Sequence, residues 1–267
     1  MVYSRKQRYR YCVVQLSAPI KTRLMRGVII RLKILLAVTL LLCISVSLAF
    51  AQDTAPEAPT PAPTPSPDVQ IEASDGRKLY GTYYDNGGDG PAVLLLHQLY
   101  TNRSSWTPLV GPLRENGFKV LVIDLRGYGQ TRGSINWTQA QDDTLRWAEW
   151  LRGQPGVNKL LMGGSSMGAN LALVGCAAMD GCAASVALSP GLNYFGVTTE
   201  SAIASGRPAL VVYADRDRYP KDDVPAMQQI PGAAIETLVY EGRDHGVDLF
   251  RAHEELAGAI VGWLAGR

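Results

Sequence analysis

The chain has 267 residues, 46% of them hydrophobic and 19% charged, an ordinary globular mixture with enough apolar content for one sizeable core. Its formal charge of +2 is unevenly spread: residues 1–51 hold nine Lys or Arg and no Asp or Glu, which leaves 17 basic against 24 acidic residues, a net −7, in the remainder. A body of that sign lacks the basic footprint of a nucleic-acid binder, so no nucleic-acid partner is expected.

In chain order, the first element is a basic leader. Arg26, Arg31 and Lys33 precede an apolar run over 34–50 that ends Ala49-Phe50-Ala51, with small residues at −3 and −1 of a cut before Gln52. That layout predicts a secretory signal peptide, with Met25 as an alternative start. The rival reading is an uncleaved membrane anchor over 34–51, because the run approaches the roughly 20 residues needed to span a bilayer. Residues 52–68 alternate proline with small residues, which favours an extended spacer and cannot pack a core. The folded domain is therefore expected over 69–267.

Two segments, 69–73 and 78–84, flank the turn pair Asp75-Gly76 and predict an antiparallel hairpin. Apolar strand-like runs follow at 92–97, 120–125, 160–162, 185–188, 209–213 and 235–240. Helical spacing fills 106–116, 138–152, 167–179, 222–229 and 249–265. Apolar strands alternating with helices imply an α/β domain with a mostly parallel central sheet and helices on both faces. Ligands of such sheets sit at the carboxyl ends of the strands, so the chemistry is expected in loops that directly follow strands.

Gly164-Ser165-Ser166-Met167-Gly168 follows one such strand and opens an apolar helix. A nucleophile on a strand-to-helix turn of this kind has strained backbone, and glycines two residues either side let the chain pack closely. Ser166 has both glycines; Ser165 has Gly163 before it but Met167 after it. Of the three histidines, His245 lies on a loop after the last strand, His97 ends the first apolar strand, and His253 falls in the final helix as a solvated residue. His245 is the expected base. An orienting carboxylate fixes the tautomer of such a base. Asp217 is the candidate because it lies deeper in its loop, with Asp215 as the alternative.

Residues 69–267 resemble a compact α/β-hydrolase. Four patches carry the resemblance: Leu94-Leu95-Leu96-His97-Gln98-Leu99, where Gln98 replaces the usual glycine; Asp124-Leu125-Arg126-Gly127-Tyr128-Gly129; the elbow at Ser166; and the loops of Asp217 and His245. The order serine, acid, histidine is that of the family. The resemblance implies an oxyanion hole from the backbone N–H groups of Met167 and Leu99, a scaffold role for His97, and loop-tying roles for Asp124 and Arg126. Tyr100, Asn102 and Trp106 are candidate lining residues, with helix packing the equal alternative for Trp106. Only residues 191–207 separate Leu188-Ser189-Pro190 from the next strand, too short for a cap domain, so the site is expected to be open. The chain is thus similar to lidless, dienelactone-hydrolase-like esterases, with Ser in place of their usual Cys.

The implied chemistry is hydrolysis of a small-molecule carboxylic ester through an acyl-enzyme, with no metal or cofactor. An acyltransferase with the same triad and a non-catalytic binding module on the same fold are the alternatives. Cys176 and Cys182 remain after leader removal, and an oxidising compartment would let them pair across the Asp180-Gly181 turn.

Overall fold

The computed structural model describes residues 68–267. The leader, its alternative as an anchor over 34–51, and the proline-rich linker up to residue 67 lie outside the described residues. Among the described residues, no helix is long and apolar enough to cross a membrane.

The domain opens with β1 (Asp68–Glu72) and β2 (Lys78–Tyr84), paired antiparallel around a turn at Gly76, whose φ of 78° suits a residue without Cβ. Then come β3 (Gly90–Leu96), α1 (Thr107–Glu115), β4 (Lys119–Ile123), α2 (Trp137–Arg152), β5 (Val157–Ser165), α3 (Met167–Ala178) and β6 (Cys182–Leu188). The connection after β6 folds as two short strands, β7 (Asn193–Tyr194) and β8 (Val197–Thr198), and the short helix α4 (Glu200–Ala204). The chain ends with β9 (Ala209–Ala214), α5 (Pro220–Gln228), β10 (Ile235–Tyr240), α6 (Leu249–Ala252) and α7 (Leu256–Ala265).

Eight strands form one sheet in the order β1-β2-β4-β3-β5-β6-β9-β10. Only β1 and β2 run antiparallel to their neighbours; from β4 to β10 every pairing is parallel. The period-2 alternation of a strand divides the apolar runs between two faces. Leu94 and Leu96 of β3 meet Trp147 and Leu171 on one side, while Val93 and Leu95 meet Leu109, Leu113 and Ile260 on the other. Burial of both faces is why these strands are continuously apolar.

Two elements differ from the periodicity. The strand expected over 160–162 extends through Gly163, Gly164 and Ser165, because β3 and β6 pair with it on both sides and hold residues of low strand propensity in the ladder. A Cβ on Gly163 would lie 2.7 Å from Leu95 Cδ2. The helix expected over 249–265 is broken at His253, which is extended at φ −134° and ψ 93°. His253 is not a solvated helix residue: its ring stacks on Tyr240 with centroids 4.1 Å apart. That contact with the edge strand sets the break.

Cys176, near the end of α3, is disulfide-bonded to Cys182, the first residue of β6, with Cα atoms 5.3 Å apart and both residues fully buried. Cys182 and the carboxyl end of β6 are separated by the length of that strand, about 20 Å. The closed loop is short, so loss of the bond is expected to cost about 2 kcal/mol. The double variant Cys176→Ala/Cys182→Ala should therefore melt about 4–8 °C lower in a thermal scan. Thiol titration of denatured, unreduced wild-type protein should find no free thiol from this pair.

Candidate active site

The carboxyl ends of β5, β6, β9 and β10 are neighbours, and the loops that leave them carry Ser166, Ser189, Asp217 and His245. Ser166 sits between β5 and α3 with φ 52° and ψ −116°, a conformation costly for any residue with a Cβ, of order 1–3 kcal/mol. The surroundings enforce it. A Cβ on Gly164 would lie 1.9 Å from Gly168 O, and one on Gly168 would lie 2.2 Å from Leu96 O. The Ser166 N–H also donates to Leu188 O at 2.7 Å. The result is a half-buried hydroxyl held out at the start of α3, whose first N–H groups have no partner within the helix.

His245 Nε2 lies 2.8 Å from Ser166 Oγ. Its Nδ1 faces both oxygens of Asp217, at 2.9 and 2.8 Å. A carboxylate only accepts, so Nδ1 carries the ring proton and the Nε2 lone pair faces the serine hydroxyl. Asp217 is buried and also accepts the Ser189 hydroxyl at 2.7 Å. The two other candidates point elsewhere. Ser165 Oγ–H donates to Gln98 Oε1 at 2.7 Å, and Asp215 accepts the Gly242 N–H at 2.9 Å and faces Arg216.

Two contributors escaped the sequence reading. Ser189 bridges Asp217 and the histidine loop, since its Oγ accepts the Gly246 N–H at 2.8 Å. Its only sequence signal is a small polar residue ending an apolar strand run. Gln98 does more than fill a glycine position. Its Oε1 accepts both Ser165 Oγ–H and the Val247 N–H, at 2.7 and 3.0 Å, and so latches the loop after β3 to the elbow and to the histidine loop. Gly246, with φ 60°, lets them close, because a Cβ there would lie 2.1 Å from Gln98 Oε1 and from Ser165 Oγ. Gln98→Leu is expected to lower the urea-unfolding free energy by about 1–3 kcal/mol, because it leaves the buried Ser165 hydroxyl without its acceptor and removes one of the two acceptors of the Val247 N–H. An unchanged midpoint and slope would show the latch to be idle.

His97 is fully buried, its Nδ1–H donating to Gln98 O at 2.7 Å and its Nε2 accepting the Leu125 N–H at 3.0 Å. Burial pushes its pKa below the ordinary histidine value, matching a neutral ring that pins two loops. Asp124 accepts from the backbone of Arg103 and Gln130 and pairs with the Arg103 side chain. Arg126 spans Asp75 and Asp143, and its hydrogen bond holds Asp75 below the usual carboxylate range. Trp106 is buried against Phe250, which is the packing alternative, while Asn102 does not line the site as expected but caps the turn after it by accepting the Ser104 N–H.

The triangle opens into a cleft of about 500 Å3. Leu99 and Met167 line it beside Ser166 and His245, with Tyr100, Tyr194, Phe195 and Tyr219 as an aromatic wall. The connection after β6 builds no cap domain; its β7–β8 hairpin contributes Asn193, Tyr194 and Phe195 to one wall of the cleft. Asn170 anchors that hairpin, donating to Val197 O and accepting the Gly191 N–H. Among the described residues, no three His, Cys, Asp or Glu side chains are grouped to hold a metal ion.

Residues 91–227, about half the chain, match the sequence profile of the alpha/beta hydrolase fold. The chain belongs to the alpha/beta hydrolase fold family. The chain is similar to the uncharacterized protein Rv2307c of Mycobacterium tuberculosis, 38% identical over 127 residues, 46% of this chain and 45% of that one. The matched stretch thus spans about half the length of such curated relatives. Among solved structures, this hydrolase-fold chain superposes on the Pyrococcus furiosus esterase Pf2001 with TM-score 0.65 at 21% identity, covering 74% of this chain and 91% of that one. It superposes on Est1E of Butyrivibrio proteoclasticus with TM-score 0.64 at 17% identity, covering 75% and 98%. At those identities the likeness is one of fold.

Proposed function

We propose that this chain is an exported serine hydrolase that cleaves small carboxylic esters through an acyl-enzyme on Ser166. The observation that carries the reading is the hydrogen-bonded line from Ser166 Oγ through His245 to Asp217 at the foot of an aromatic cleft. His245 Nε2 takes the hydroxyl proton as Oγ attacks the ester carbonyl. Asp217 stabilises the imidazolium that forms. The Leu99 and Met167 N–H groups hold the oxyanion, each worth roughly 3 kcal/mol at the transition state. The intermediate then expels the alcohol, protonated by His245, and leaves the acyl group on Oγ. Water, deprotonated by the same nitrogen, releases the acid and restores the serine.

Two fold neighbours, Pf2001 and Est1E, are named as an esterase and as a protein solved with ferulic acid bound, which is in keeping with ester chemistry. Export through a leader over 1–51, with a spacer over 52–68 and a catalytic domain over 69–267, is part of the same proposal. It is supported by the Cys176–Cys182 disulfide, since such bonds persist in oxidising compartments. A fluorophosphonate probe followed by mass-spectrometric mapping tests the reading. An adduct on Ser166 is expected; labelling elsewhere, or none at active-protein stoichiometry, overturns it.

A further inference from the structure

A second cleft, of about 590 Å3, adjoins the first and shares Tyr219 and His245 with it. Its remaining lining is of a different kind: Arg216, Arg218, Lys221, Arg243 and Asp217. The one carboxylate there is buried and engaged by His245 and Ser189. Arg216 is shared with Asp215 and Glu241, each at 3.5 Å, and Lys221 pairs with Asp222. Arg218 and Arg243 have no carboxylate partner among the described residues; Arg218 lies over the Tyr219 ring at 5.3 Å. Neither guanidinium holds the fold together by hydrogen bonds or ion pairs, yet both line a cleft that reaches His245.

The geometry of the reaction says which half of a substrate meets this cleft, an argument that rests on the serine-hydrolase reading above. The carbonyl oxygen turns toward Leu99 and Met167, which line only the aromatic cleft. The departing alcohol oxygen must face His245 Nε2, because that nitrogen protonates it. His245 and Tyr219 line both clefts, and on the reading adopted for the substrate the chain of atoms beyond the alcohol oxygen lies past these two residues in the basic one. The acyl half remains against the aromatic wall.

We propose that the cleft lined by Arg218 and Arg243 binds an anionic group, a carboxylate or a phosphate, on the alcohol half of the ester. Guanidinium groups suit either anion, because their planar donors meet two oxygens at once. No bond is made or broken there; the contact adds binding and steering to a reaction completed at Ser166.

The test compares para-butyryloxybenzoate with its primary amide, which share acyl chain and ring and differ in charge. The carboxylate ester is expected to have the larger kcat/KM, by about tenfold at low ionic strength, and to lose that advantage as salt is raised. In the double variant Arg218→Gln/Arg243→Gln the ratio of the two esters should fall to the ratio of their hydroxide-catalysed hydrolysis rates, which accounts for the better amide leaving group. Because the ratio is taken within one preparation, a partly unfolded variant does not change it. A para-butyryloxyphenyl phosphate arm separates the sources: a gain for either anion supports the proposal, and the larger gain names the group. Equal kcat/KM for all three esters once divided by their hydroxide-catalysed rates, or a preference that survives the double variant, overturns it. If no ester is cleaved at all, the serine-hydrolase reading fails, and the cleft is tested by calorimetry. Tighter binding of para-hydroxybenzoate than of para-hydroxybenzamide, abolished in the double variant, supports an anion site; equal binding rejects it.

Discussion

Ser166→Ala is expected to lower kcat for a short-chain p-nitrophenyl ester by about 10⁴-fold or more, leaving only what the N–H donors and the cleft provide. The unfolding midpoint should hardly move. Alanine keeps the Cβ and hence the strained backbone at φ 52°, and the lost contact is a single hydrogen bond to a part-exposed ring. Ser166→Gly separates strain from chemistry. It should be equally inactive but more stable, by about 1 kcal/mol, because glycine accepts positive φ without cost. Ser165→Ala is the control, since its hydroxyl serves Gln98 and Val247 rather than His245. A Ser165→Ala protein that is dead beside an active Ser166→Ala protein would reject the assignment.

Asp217→Asn is the second large effect, with an expected fall in kcat of about 10⁴-fold, because an amide can donate to Nδ1 and so stabilise the wrong tautomer of His245. The buried carboxylate also accepts the Ser189 hydroxyl, so the variant disturbs the bridge to Gly246 as well. Asp215→Asn should stay within a few fold of wild type, because Asp215 is exposed and serves the Gly242 N–H and Arg216. Steady-state kinetics on the two variants decide between them. Small, equal losses would remove Asp217 from the proposed relay.

Much of the site is legible before folding wherever the constraint is local. The glycines around Ser166 are demanded by backbone approach within a few residues, so the elbow is written in five letters. The parallel sheet is written in the same way, because strands buried on both faces must be apolar throughout. The sequence by itself thus determined the α/β architecture, the hairpin at Asp75-Gly76 and the residue types available for chemistry.

Only the tertiary structure decided which of those residues meet. Ser166 and His245 are 79 positions apart, and His245 and Asp217 are 28 apart. Their contact depends on β5, β6, β9 and β10 lying side by side, an order no periodicity encodes. The bridging roles of Ser189 and Gln98 are invisible in the sequence for the same reason. A lone serine after a strand, or a glutamine in a glycine position, has no local pattern, and its partners come from other strand ends. The break at His253 likewise follows from a ring on the neighbouring edge strand, and the strand through Gly163-Gly164 from pairing on both sides, where long-range contact outweighs intrinsic propensity.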